Sequence, residues 1–150
     1  MLENIKKIGS PFSVAGYEGE LTEYIKNELA PYFTDCFIDN VGNLICHEKG
    51  VGDKILVNIP ISSNGFFVTH VTEKGELKFS TIGKTKETDI LGSKAINEKG
   101  EIVGVVVSEK EELSLDDMFI DTGKSTSVKV GDILKVSCEP YKIGDRIFGR

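Results

Sequence analysis

From Gly65 onward the chain is a succession of short β-type runs separated by glycine-containing turns. That pattern constrains the fold more than any other feature. GFFVTHV (65–71) leads through Thr72-Glu73-Lys74-Gly75 into ELKFS (76–80). The stretch from Asp89 to Asn97 leads through Lys99-Gly100 into EIVGVVV (101–107). MFID, VKVGDILKVSCEP and KIGDRIFG complete the series. Short strands with glycine corners predict a small barrel or sandwich. Glu-Lys-Gly recurs at 48–50, 73–75 and 98–100, but the flanks differ. A hairpin corner with glycine at positive φ accounts for each copy without a repeat. Val130-Gly131-Asp132 reads as another strand-corner turn, and Glu109-Lys110-Glu111-Glu112 as a solvated loop.

The first 64 residues follow a different rhythm. Leu2, Ile5 and Ile8 fall at helical spacing and stop at Gly9-Ser10-Pro11. Leu21, Tyr24, Ile25 and Leu29 make one apolar face of a second helix, with Glu18 and Glu20 at its positive end. Pro31 ends that helix through its restriction on Ala30. Asp35–Asp39 and Asn43–His47 predict two strands around Asn40-Val41-Gly42. KILVNI (54–59) predicts a third, of the continuous apolar kind found in buried strands. The turn-rich join Pro60–Gly65 divides the chain into 1–64, mixed helix and strand, and 65–150, all β.

Composition excludes several function classes. With 18 basic and 24 acidic residues the net charge is -6, which argues against nucleic acid as a partner. No run approaches the roughly 20 apolar residues of a membrane-spanning helix, so no membrane role is expected. The N-terminus lacks the apolar stretch and cleavage site of a secretory signal. Cys36, Cys46 and Cys138 are odd in number and widely spaced. They read as reduced, partly buried thiols of a cytoplasmic protein rather than a disulfide framework or zinc ribbon.

Catalytic signals in the residues themselves are weak. Ser62-Ser63 follows a predicted buried strand but lacks a GxSxG elbow and a nearby histidine, so it reads as a polar turn. Asp116-Asp117 reads as a capped or solvent-facing pair. His70 reads as an interface or core-edge residue and His47 as exposed. Gly42, Gly50 and Gly52 do not form a phosphate loop. Phe66, Phe67 and Phe79 could line a ligand groove, although their alternation favours core packing.

Read in order, several segments resemble the N-terminal half of the di-zinc aminopeptidases of the glutamyl and tetrahedral group, metallopeptidase family forty-two, which also carries endoglucanase or cellulase labels. They are VAGYEGE (14–20), DNVGNLI (39–45), GFFVTHV (65–71), FSTIG (79–83), DDMFIDTG (116–123), VKVGD (128–132) and GDRIFG (144–149). The resemblance implies an α+β fold: a truncated α/β zinc-peptidase segment joined to an inserted β-barrel or sandwich domain of the dimerisation type. It implies dimers, often built into a hollow dodecamer. It also implies that the strand KILVNI should run into His-x-Asp-Glu, whose histidine binds zinc and whose aspartate orients it. Here those positions read Pro60, Ile61, Ser62 and Ser63. Proline has no lone pair to offer and serine is a poor substitute for the carboxylate. The remaining ligands of the family would lie beyond Arg150. No catalytic, cofactor-binding or metal residue is therefore carried over, and no cofactor is expected.

The function this implies is a non-catalytic, shortened relative acting through oligomerisation or association with a full-length aminopeptidase paralogue. The alternatives are a fragment of a metal-dependent aminopeptidase or glucanase-like hydrolase, and a β module binding a small ligand or peptide. The carboxylate pair that glycoside hydrolysis requires cannot be identified.

Overall fold

The computed structural model describes residues 2–124, 127–137 and 140–148. Cys138 lies outside the described residues, as do Gly149 and Arg150. The chain opens with α1 (Leu2–Gly9) and α2 (Gly19–Leu29). In α1, Glu3 sits in the first turn and Lys6 and Lys7 in the last, each favoured by the helix dipole. Yet α1 buries none of its residues. In α2, Leu21 and Thr22 are buried, and the Thr22 hydroxyl donates back to Glu18 O at 2.9 Å. Ala30 keeps a right-handed helical backbone and donates to Lys26 O, so the restriction from Pro31 is not what stops the helix. Pro31, which has no N–H to place, sits in the first turn of a 3-10 segment (Ala30–Tyr32), and the chain becomes extended at Phe33.

β1 (Asp35–Ile38) and β2 (Leu44–His47) form an antiparallel hairpin, as expected. Its corner is organised by Asp39, whose carboxylate accepts from Val41 N at 3.0 Å and Asn43 N at 2.8 Å. Cys36 stands directly opposite Cys46, and the two are joined as a disulfide. This corrects the expectation of independent reduced thiols. The odd cysteine count hid a hairpin register that brings two of the three face to face, and with it goes the cysteine argument for a cytoplasmic location.

The β-rich region forms a closed six-stranded barrel. Its strands are β3 (Gly65–Val71), β4 (Leu77–Ile82), β5 (Lys94–Ile96), β6 (Ile102–Ser108), β7 (Met118–Asp121) and β8 (Ile133–Ser137). The order around the barrel is β3-β4-β7-β6-β5-β8, with β8 pairing back to β3. The core is Phe66, Val68, Leu77, Ile90, Ala95, Val106, Met118, Ile120, Val128 and Leu134. Ile90 comes from a short helix, α3 (Glu87–Ile90), where the sequence had suggested strand from Asp89. A final hairpin, β9 (Tyr141–Ile143) and β10 (Arg146–Phe148), stacks Tyr141 on Phe148.

Two glycines are required by close approach. A Cβ on Gly65 would sit 2.6 Å from Val14 Cγ1 and 2.7 Å from Leu134 O. One on Gly104 would meet the Asp121 carbonyl oxygen and lie 2.6 Å from Ile120 Cγ2. The Glu-Lys-Gly corners at 73–75 and 98–100 are matching hairpin turns. Gly75 N donates to Thr72 O and Gly100 N to Asn97 O, with positive φ at both glycines. The copy at 48–50 turns no hairpin, so the corner explanation covers two of the three.

Candidate functional site

The place to look for chemistry is the passage from residue 54 to residue 65, where the N-terminal segment joins the barrel. KILVNI does not form the buried strand its composition predicts. Residues 54–59 lie in no strand, and among the described residues no ladder hydrogen bond involves them. Ile55, Leu56, Val57 and Ile59 are 88%, 91%, 73% and 71% exposed. The local sequence asks for burial on a sheet, and nothing among the described residues covers it.

Backbone pairing resumes at Ser63, which forms a parallel bridge with Val14. Ser63 N donates to Ser13 O at 2.7 Å, and the two hydroxyls lie 3.3 Å apart. Asn64 then ties the entrance of β3 to the exit of β4 by donating from Nδ2 to Lys84 O at 2.9 Å. Val14 is fully buried against Gly65, so the start of the chain is locked to the barrel entrance.

A second tie comes from Lys135, missed in the sequence. On β8 it is 93% removed from solvent and donates from Nζ to Gly9 O (2.6 Å), Ser10 O (3.3 Å) and Pro11 O (2.6 Å). These carbonyls are the electron-rich end of α1 and the chain leaving it. Burial holds the Lys135 ammonium below its ordinary pKa. A lysine inside the apolar run ILKVS was the available signal. Beside it lies a cleft of about 470 Å³, lined by Lys7, Pro11, Phe12, Ile96, Lys99 and Ser137 among others.

The residues singled out by sequence are not brought together. Ser62 is exposed, and Ser63 is engaged with Ser13 rather than with a histidine. His47 is exposed on β2. His70 is exposed on β3, where a bulge between Val68 and His70 breaks strict alternation and lets Val71 pack on the same core as Val68. Asp116 and Asp117 lie in a 3-10 turn capped by Ser114, and Asp117 pairs with Lys110 at 2.8 Å. Lys110 thus ties the 109–112 loop to that turn, and Glu109 pairs with Lys78 at 3.5 Å. Val130-Gly131-Asp132 is the expected corner, with Lys129 N donating to Asp132 Oδ2 at 2.8 Å. Phe66 is fully buried and packs on Phe79 with ring centroids 4.4 Å apart, so these rings fill the barrel; Phe67 is 41% exposed.

Among the described residues, no three His, Cys, Asp or Glu side chains gather where they could hold a metal. Residues 60–63 supply an amide-bound proline nitrogen, an aliphatic chain and two hydroxyls. That donor set does not fit zinc, which takes imidazole, thiolate or carboxylate.

The barrel and the order of elements agree with one family in particular. The profile of the M42 glutamyl aminopeptidases matches residues 42–150. The chain belongs to that family. A relative in Acetivibrio thermocellus, named as a candidate aminopeptidase, is 32% identical over 145 residues, which is 92% of this chain and 44% of that protein. The solved aminopeptidase APDkam598 of the archaeon Desulfurococcus kamchatkensis superposes with a TM-score of 0.83 at 24% identity, over 95% of this chain and 44% of that one. The TET1 peptidase of Pyrococcus horikoshii, solved as a dodecamer, superposes with a TM-score of 0.78 at 26% identity, over 95% of this chain and 47% of that one. This M42 chain thus spans less than half the length of these relatives.

Proposed function

We propose that this chain is a non-catalytic assembly element of the M42 type. It acts by oligomerising or by associating with a full-length peptidase of the same family. The observation that carries the proposal is the sequence Pro60-Ile61-Ser62-Ser63 at the end of an apolar run, where the family resemblance places a zinc-binding histidine and its aspartate. A di-metal peptidase needs its ions both to polarise the scissile carbonyl and to generate hydroxide. Without an imidazole or carboxylate here, the first metal has no grip. The dodecameric TET1 structure supports an assembly role for the segment matched here.

Zinc content, hydrolysis of aminoacyl-anilides and light scattering on the purified chain test this reading. The expected result is no stoichiometric zinc, no turnover above blank and a mass above the 16.4 kDa of one chain. Stoichiometric zinc with hydrolysis would end it. A second reading, part of a longer hydrolase, is favoured by one observation: this chain covers only 44% of the Acetivibrio thermocellus relative. Coding sequence that continues in frame past codon 150 would support it, although Pro60 would still impair one metal position.

A further inference from the structure

We propose that the Cys36–Cys46 bridge is a reversible redox clasp, opened by dithiols, that sets the order of the β1–β2 hairpin while leaving the barrel alone. The inference is independent of the assembly reading. Cys36 and Cys46 face each other across the antiparallel pair, with Cα atoms 4.2 Å apart. Asp39 N donates to Asn43 O at 3.0 Å. Alternation along the ladder then makes Phe37–Ile45 the next hydrogen-bonded pair and Cys36–Cys46 a non-hydrogen-bonded one. Side chains come closest at such pairs. The register therefore holds the two sulfurs together before the bridge forms and after it opens.

The surroundings suit a clasp better than a permanent staple. Only 10 positions separate the two cysteines, so the closed loop is short and its stabilising effect falls at the low end for disulfides. The same loop is already drawn in by the Asp39 carboxylate, which accepts from Val41 N and Asn43 N. Both cysteines are partly exposed, and accessible bridges are the labile ones. The hairpin packs on α2, and no residue of 35–47 belongs to the barrel core. Opening the bridge thus acts on a peripheral unit.

The step is a two-electron thiol–disulfide exchange. One thiolate of a dithiol attacks a sulfur of the bridge, breaks the S–S bond and forms a mixed disulfide. The second thiol of the reagent resolves it. The reductant leaves as a cyclic disulfide, and its two protons pass to Cys36 and Cys46. Oxidised glutathione reverses the change and leaves as two reduced glutathiones.

The test uses the full chain carrying Cys138→Ser, so that one pair titrates. Dithiothreitol, then oxidised glutathione, is added without denaturant. Iodoacetamide trapping with mass spectrometry counts thiols, and amide exchange reads order. The expected result is no alkylation at 36 and 46 before reduction, two alkylations after it, and none after reoxidation. Exchange at Phe37 and Ile45 should speed up at least about tenfold on reduction, with Val68, Val106 and Ile120 unchanged. A Cys36→Ser, Cys46→Ser double variant should show the fast hairpin exchange in air. The proposal is overturned by free thiols in the air-equilibrated chain or by a bridge that opens only in denaturant. It is equally overturned by reduction that leaves hairpin exchange unchanged, or by reduction that loosens the barrel to the same extent.

Discussion

The barrel and the N-terminal segment solve the same problem with opposite results. Both are rich in apolar β-type sequence. In the barrel, six strands close on themselves, so each backbone edge is paired and one core holds Phe66, Val68, Val106, Ile120 and Leu134. In residues 2–64, burial below a tenth of full exposure is reached by Ser13, Val14, Leu21 and Thr22. KILVNI is more uniformly apolar than several barrel strands and is still bare. Burial is therefore a property of closure and not of composition. An apolar run that pairs with no strand among the described residues is not buried by its own side chains.

The comparison can be broken most forcefully at the core. Phe66→Ala should cost about 3–5 kcal/mol in denaturant unfolding, because it opens a cavity beside Phe79. Leu56→Ser in the open run should change the stability of the isolated chain by less than about 0.5 kcal/mol. Equal effects at the two sites would show that the run is packed after all.

The seam between the regions gives the next effect. Gly65→Ala should destabilise by about 1–3 kcal/mol, since its methyl would push on Val14 and on the Leu134 carbonyl. A neutral result in thermal melting would mean that Val14 is not held there.

Lys135→Met should cost about 1–2 kcal/mol by removing hydrogen bonds to three carbonyls. Limited proteolysis should then cut first near Gly9–Pro11, with the barrel intact. Burial lowers the folded pKa of Lys135 below its ordinary 10.5. The unfolded chain thus binds more protons between those two values, and stability should rise with pH across that window. The Met variant should lack that rise.

The smallest effect belongs to the β1–β2 corner. Hydrogen bonds from Asn43, Val41 and Gly42 hold the Asp39 carboxyl below its ordinary pKa of 3.8. Its contribution is complete above that value and is lost as pH falls through the lower folded pKa. Asp39→Asn should flatten that acid limb of the stability curve, measured by thermal melting from pH 5 to pH 2.

Much of the architecture was legible because local rules and tertiary outcome agreed. The glycine corners at 75 and 100, the β1–β2 hairpin and both helices follow directly from turn chemistry and periodicity. Strand order around the barrel was not legible, because local pattern does not say which edges meet. The cysteine pair was missed because residue count carries no register. KILVNI was misread as a buried strand, because an apolar run reports a tendency to be buried and not whether the described residues supply a sheet to bury it on. Lys135 was overlooked because its partners are main-chain carbonyls more than 120 residues away. At the candidate site, the informative sequence feature was a negative one, the lack of any ligand chemistry at 60–63.

Residue-resolved amide exchange on the isolated chain tests the contrast most directly. The account predicts slow exchange at Val68, Val106, Ile120 and Leu134, and exchange near the unfolded rate from Ile55 to Ile59. Protection of Ile55–Ile59 matching the barrel strands, in a sample shown to be monomeric, would contradict it.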